Sequence, residues 1–348
     1  DIIAKSGARA LFCSRRFEPE ARRQEKRLRE ALSDEVERHV YDDFLLRHPK
    51  IIKTGGGSPY RVFTPFYRAS TAAGEPDLPL PAPDEIQAFP GELDSIGLEE
   101  LELLPYRPDW AGGLRENWQP GEAGALRQLD DFELRVADYA GDRDLPAIDG
   151  TSRLSPHLHF GEISPRQAWH AIRQSGGSTL SADRAEPFLR QLYWRDFSWY
   201  LLYHFPDLPT DPLRPEFANF PWAGSDEQLE AWQRGRTGIP IVDAGMRQLW
   251  ETGWMHNRVR MLVASFLVKN LLIPWQEGRA WFDDTLVDAD MGNNAAGWQW
   301  VAGCGTDAAP YFRIFNPVTQ SKKFDADGSY IRRWVPELEA LPAKMIHD

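Results

Sequence analysis

Near the start of the chain the apolar spacing changes twice. Residues 8 to 14 (ARALFCS) read as a short buried strand, and Pro19 to Leu32 (PEARRQEKRLREAL) as a charged amphipathic helix with proline in its first turn. Glu37 to Tyr41 then returns to strand character. Strand, helix, strand is the repeating unit of a parallel sheet, so residues 1–75 are expected to be the C-terminal part of a Rossmann-like α/β domain. From residue 76 to residue 120 prolines recur at 76, 79, 81, 83, 90, 105, 108 and 120, which forbids long helices and predicts an extended interdomain linker. Beyond Gly121 the apolar residues fall at three- and four-residue spacing over Ala123 to Ala140, Glu186 to His204, Asp243 to Glu251 and His256 to Leu272. Residues 121–348 are therefore expected to form an all-helical domain.

Composition sets limits on this picture. With 348 residues, 42% of them hydrophobic, the chain can bury a large core divided between two domains. No apolar run is long enough to span a bilayer and no signal core opens the sequence, so a cytoplasmic location is expected. Cys13 and Cys304 are too few for a disulfide framework or an iron–sulfur cluster from this chain alone. The net charge of -12 excludes a broadly basic surface but leaves room for a local positive groove. Fourteen tryptophans, many after residue 190, exceed what a core of this size needs and suit stacking on flat ligands or bases. The chain starts without methionine and stops at His347-Asp348 without a closing element, so further segments are expected at both ends.

The densest chemistry lies in Asp288 to Trp300, DADMGNNAAGWQW. Two acids, a glycine and two amides favour turns and caps, predicting a structured loop that enters a helix at about Ala295 and aims polar groups at one ligand. A calcium loop of the EF type would need a closing Glu, and none follows. The Gly55-Gly56-Gly57 run lacks phosphate-loop spacing and reads as a turn. In TSRLSPHLHFG the hydroxyls of Thr151, Ser152 and Ser155 lie beside Arg153, as either a phosphate cradle or plain N-caps. The helix after residue 186 brings Phe188, Gln191 and Arg195 onto one face with Trp194 beside them. Asn257, Arg260 and Met261 share one side of the next polar-faced helix, which suits a ligand floor. His157, His159 and His256 lack metal-ligand spacing, so no metal site is expected.

Together TSRLSPHLHFG, LRQLYWRDF, WMHNRVRM, DADMGNNAAGWQW and GTDAAPYFRIFNP resemble, in order and spacing, the flavin domain of the DNA photolyase and cryptochrome family. RVFTPFYRA (Arg61 to Ala69) looks like the end of that family's N-terminal domain. Within the family the chain looks most like the class I cyclobutane pyrimidine dimer photolyases. The resemblance implies non-covalent FAD folded on itself in the helical domain, with an antenna chromophore of folate or deazaflavin type as a second cofactor. It implies a monomeric carbon–carbon lyase that acts on UV-damaged DNA, with an excited reduced flavin passing an electron to a flipped-out dimer. Thr151, Ser152, Arg153, Leu154 and Ser155, with Tyr139, look like the family's phosphate- and ribose-binding residues. Arg195 resembles a phosphate partner, and Phe188 stands where the family usually has Trp. Asp288 and Arg260 look like the pair at the isoalloxazine edge, Asp290 their neighbour, and Asn294 the amide facing the central ring nitrogen. Trp194 and Trp300 look like the walls that sandwich the lesion, Met261 its contact to the flavin, and Asn257 and Arg258 lesion and phosphate contacts. Arg143 and Arg313 match positions that hold the DNA backbone. Trp298, Trp275 and Trp222 match the family's three-tryptophan electron wire.

One position departs from the cyclobutane pattern. Gln191 replaces the Glu that hydrogen-bonds the dimer, as in six-four photolyases and animal cryptochromes, although the two consecutive histidines of six-four enzymes are replaced here by His256-Asn257. A light receptor that binds FAD without repair is the competing class, and it predicts loss of the Trp194, Met261 and Trp300 set. A dark flavoprotein would need a nicotinamide fingerprint, which the sequence lacks.

Overall fold

The computed structural model describes residues 2–32, 34–105, 107–175, 182–307 and 313–348, so the 308–312 part of the GTDAAPYFRIFNP motif lies outside the described residues. The N-terminal pattern folds as its spacing predicts. Two strands, β1 (Ala10–Ser14) and β2 (Glu37–Tyr41), pair in parallel from Ala10 opposite Glu37 to Ser14 opposite Tyr41, and the Pro19–Ala31 helix connects them. Proline at that helix's start fixes φ where no backbone donor is needed. The glycine run closes a turn in which the Gly57 N–H donates to the Thr54 carbonyl at 2.8 Å. Between residues 73 and 121 the described backbone holds only Glu99–Leu101 and Gly112–Asn117 as short helices, as the prolines require.

The C-terminal part is helical, with three corrections to the boundaries. The Ala123 to Ala140 segment divides into Glu122–Glu133 and Tyr139–Asp142, because residues 134–138 turn and the Arg135 N–H donates to Phe132 O. The predicted helix up to Leu272 is regular only over Asn257–Ser265 and relaxes into a π-turn at Phe266–Asn270. The third correction touches the site: the helix expected at Ala295 starts at Met291. Asp290 is its N-cap, accepting from the Asn293 N–H at 2.7 Å, so the two asparagines lie in the first turn and not in a loop.

The Ala182–His204 helix ties both parts of the chain together. Asp196, buried, accepts from the Leu46 and Arg47 backbone N–H groups at 3.1 Å each. The Tyr200 hydroxyl donates to Ile52 O and accepts from Tyr60 N, both at 2.9 Å. One apolar core lies around Phe63, Phe132, Phe197 and Tyr200, and a second around Trp232, Val263, Trp275 and Trp298. The Met291–Ala302 helix packs against Ala182–His204, Asn257–Ser265 and Trp275–Thr285, where the two cores meet.

Candidate functional site

At that junction a cavity of about 420 Å³ opens. The Ala182–His204 helix contributes Gln191 and Trp194, the Asn257–Ser265 helix Asn257, Arg260 and Met261. The 288–302 stretch contributes Asp288, Asp290, Asn294, Trp298 and Trp300. Each was expected at the site, and helical spacing is what aims them together.

Charge in this cavity is fixed by pairing. Arg260 donates from Nη2 to Asp288 Oδ2 at 2.8 Å and from Nε to Met255 O at 2.7 Å. The second carboxylate oxygen, Asp288 Oδ1, is buried with no protein partner. Asp290 Oδ2 accepts from the Trp199 indole at 2.7 Å. Asn294 donates from Nδ2 to Arg279 O at 3.1 Å and to Asp283 Oδ1 at 2.5 Å. Gln191 donates from Nε2 to Pro187 O at 3.2 Å, so its nitrogen is held by its own helix. His256 caps the floor helix by accepting from the Arg258 N–H at 3.2 Å, and burial pushes its pKa down to about 4.

Other expected residues stand outside this cavity. Tyr139 and Phe188 pack with Phe132, their rings 5.7 Å apart and edge-on. Leu154, not a hydroxyl, occupies the N-cap of the Ser155–Phe160 helix without a side-chain cap, while Ser152 Oγ accepts from the Leu154 N–H at 3.4 Å. Arg153, at φ +50°, lies over Trp118 at 4.7 Å and over Trp254 at 5.3 Å; Arg260 lies 5.9 Å from the same Trp254. The cradle thus joins the floor through one shared ring. Arg195 is buried and spent on the Phe44 and Leu158 carbonyls, with Asp290 at 4.0 Å, so here it braces the structure and does not face the cavity. Arg258 pairs with Asp144 at 2.7 Å, Arg143 lies over Tyr139 at 5.7 Å, and Arg313 is exposed beside Phe315.

Two contributors were missed in the sequence. Trp199 could have been found by its four-residue step from Arg195 on one helix face. Phe63, stacked on Trp194 with centroids 3.6 Å apart and planes 8° apart, comes from the other end of the fold and carries no local signal. A second cavity, of about 210 Å³, is strongly cationic: Arg22, Lys26, Arg29, Arg38 and Lys50 line it beside Tyr203.

Residues 188–348 match the family model for the FAD binding domain of DNA photolyase, and residues 1–84 the model for DNA photolyase. The chain is 48% identical over 349 aligned positions to the deoxyribodipyrimidine photo-lyase of Agrobacterium fabrum, covering 100% of this chain and 73% of that protein. The chain belongs to the DNA photolyase family. The photolyase of Escherichia coli is 39% identical, again with 100% and 73% covered. Among solved photolyases, the class III enzyme of Agrobacterium tumefaciens superposes with a TM-score of 0.96 at 47% identity, covering 100% of this chain and 72% of its own. That neighbour corrects the expected class I subtype: the likeness is to class III. The cryptochrome of Synechocystis gives a TM-score of 0.80 at 30% identity, covering 99% and 72%. The helical domain is thus the flavin domain of the photolyase and cryptochrome fold. Among the described residues no helix is long and apolar enough to cross a membrane.

The photolyase cavity suits FAD on its own chemistry. The unpartnered Asp288 Oδ1, held in place by Arg260 on the other oxygen, is an acceptor for the imide edge of a flavin, and the Trp298 indole Nε1 is likewise buried without a partner. Of the three tryptophans expected to form an electron wire, Trp298 and Trp275 are each 2% exposed, and Trp222 is half-buried against Phe220. Gly278 is where the Trp298 ring crosses the helix that begins at Trp275. A Cβ there would come within 2.1 Å of Trp298 Cη2, so only glycine permits the approach.

Proposed function

We propose that this chain repairs UV-damaged DNA in the light, as a carbon–carbon lyase that splits cyclobutane pyrimidine dimers flipped out of the duplex into the 420 Å³ cavity. The observation that carries this reading is that Trp194, Trp300, Asn257 and Met261 open into the same cavity as the Arg260–Asp288 pair. In this reading lesion and flavin lie against one another. FAD, in its reduced form, supplies the light-driven electron that opens the cyclobutane ring. Arg260, Asp288, Asp290 and Asn294 hold and orient the isoalloxazine, with Thr151 to Ser155, Tyr139 and Phe188 forming the wall toward the phosphates and ribose and Arg195 bracing that wall from behind through Phe44 O and Leu158 O. Trp194 and Trp300 stack on the dimer, returning about 1–3 kcal/mol per base against the cost of flipping. Gln191 and Asn257 hydrogen-bond the dimer, Met261 spaces it from the flavin, and Arg143, Arg258 and Arg313 hold the DNA backbone. An acidic chain of net charge -12 needs only that local basic rim.

The N-terminal strand, helix and strand support a Rossmann-like antenna domain over residues 1–75, with 76–120 as linker and 121–348 as the flavin and lesion domain. The cationic second cavity suits an anionic antenna chromophore of the folate or deazaflavin type. The test is optical: protein with reduced FAD, under near-ultraviolet or blue light, restores absorbance to dimer-containing DNA. No recovery under illumination, with lesion binding intact, would favour the light-receptor reading that the Synechocystis cryptochrome likeness keeps open.

A further inference from the structure

We infer that Phe63, in the helix that closes the N-terminal part, is a positioning residue for the lesion pocket, acting through Trp194. The inference rests on the reading of Trp194 as a wall of that pocket. Trp194 borders the cavity and lies flat on Phe63, with centroids 3.6 Å apart and planes 8° apart. Behind Phe63 the stack continues: Tyr67 is parallel to it at 5.6 Å, and the Arg190 guanidinium lies 5.4 Å from its centroid. Phe63 is 1% exposed and cannot itself touch a lesion.

A tryptophan beside an open cavity has several rotamers available, and binding must fix one of them. Stacking on a buried ring fixes it beforehand, so the cost of ordering is met on folding and not at each encounter with DNA. The helix that carries Phe63 is itself anchored at the site. The Phe63 backbone N–H donates to Asp307 Oδ2 at 3.1 Å, and Asp307, at φ +48°, follows directly on Thr306, which lines the cavity. A carboxylate far along the chain thus caps the Phe63–Ala72 helix, where no local side chain does so. Two independent contacts, ring to ring and carboxylate to backbone, join this helix to two segments that border the same pocket. The N-terminal part therefore takes part in holding substrate.

The test uses the holoprotein with reduced FAD and single-stranded DNA bearing one cyclobutane dimer. Phe63→Leu keeps apolar bulk and removes the flat surface. It is expected to weaken dimer binding by about 3- to 10-fold, the size of one aromatic pair. FAD retention and repair per absorbed photon at saturating DNA should stay unchanged, and Phe63→Tyr should restore the affinity. If Phe63→Leu does not fold, Asp307→Ala, which releases the helix end, should weaken dimer binding in the same direction. Trp194→Ala separates the two layers of the argument. Loss of affinity in Trp194→Ala with none in Phe63→Leu (or in Asp307→Ala, if Phe63→Leu does not fold) overturns the positioning role alone, whereas full affinity in Trp194→Ala overturns the pocket. Loss of FAD together with lesion binding in Phe63→Leu, unrescued by Phe63→Tyr, would assign Phe63 to the general core and also overturn the inference.

Discussion

Trp199 donates its indole N–H to Asp290 Oδ2 at 2.7 Å, while the other oxygen of the same carboxylate caps the helix that carries Asn294, Trp298 and Trp300. One buried acid thereby sets the start, and so the rotation, of a helix contributing three residues to the site. Gly292 makes room for this, since a Cβ there would meet the Trp199 ring at 3.0 Å. Trp199→Phe keeps the ring and leaves a buried carboxylate oxygen without its donor. The expected cost is about 1–3 kcal/mol of stability, with weaker FAD retention. Denaturant unfolding and flavin titration read the two effects, and a variant matching the parent in both would remove Asp290–Trp199 from the account.

The lesion pocket makes a direct prediction. Trp194→Ala should weaken binding of dimer-containing DNA by roughly 1–3 kcal/mol and leave FAD bound. Fluorescence titration against damaged and undamaged strands measures the difference, and equal lesion affinity in parent and variant contradicts the assignment of Trp194.

Gln191 sets up a second comparison. Its Nε2 donates one hydrogen to Pro187 O at 3.2 Å, leaving the amide oxygen and the second N–H for a dimer, so Gln191 can accept and donate a hydrogen bond but has no acidic proton to share. Gln191→Glu should raise repair yield per absorbed photon, with dimer affinity rising about tenfold, as a charge-assisted hydrogen bond allows. Parent-like yield and affinity in that variant would mean that the missing acid is immaterial here.

What the sequence shows and what it hides divide along physical lines. The strands at residues 10–14 and 37–41 and the extended proline stretch were legible because they follow from spacing and backbone restriction within a few residues. The ligand-facing residues of the Ala182–His204 and Asn257–Ser265 helices were legible for the same reason, since helical periodicity decides which side chains share a face. The start at Met291 was misread because weak helix formers in DADMGNN suggest a loop, whereas one cap at Asp290 suffices to begin the helix there. Trp199 with Asp290, and Phe63 with Trp194, are pairs made by tertiary packing between distant segments; helical spacing could place Trp199 on the face of Arg195, but no local pattern names Asp290 as its partner or brings Phe63 to Trp194.

Acid should weaken the floor of the site through His256. Its folded pKa is pushed down to about 4 by burial, against about 6.5 in an unfolded chain, so the unfolded state takes the proton first as pH falls. Its contribution is intact above pH 6.5 and is lost as pH falls toward 4. Protonation also occupies the Nδ1 lone pair that accepts from Arg258 N–H. Asp196 has the opposite sign, because burial pushes its carboxyl up to about 7 and favours the folded state in acid. A comparison with His256→Asn cancels Asp196 and retains a capping side chain. Between pH 7 and 5 the parent should lose about 2 kcal/mol more stability than the variant. Parallel pH profiles would show that His256 does not titrate this way.

Light-driven reduction of the flavin supplies the last prediction. A flavin at the base of this cavity collects electrons from solvent slowly, so fast light-driven reduction needs oxidisable side chains that lead to it. Trp298 lines the cavity, 2% exposed, and crosses at Gly278 the helix that begins with Trp275. Trp275, also 2% exposed, shares a small cavity of about 90 Å³ with the half-buried Trp222, which gives the path an outer end. Phe282 packs edge-on to Trp298 at 5.1 Å and is much harder to oxidise, so it offers no equivalent detour. Trp298→Phe should almost abolish photoreduction of oxidised FAD while sparing repair when the flavin is reduced chemically beforehand. Trp222→Phe should retain a short-lived charge separation but lose lasting reduction, because the electron hole cannot reach solvent. Transient absorption resolves both outcomes, and fast, stable photoreduction in Trp298→Phe would place the electron route elsewhere in the second core.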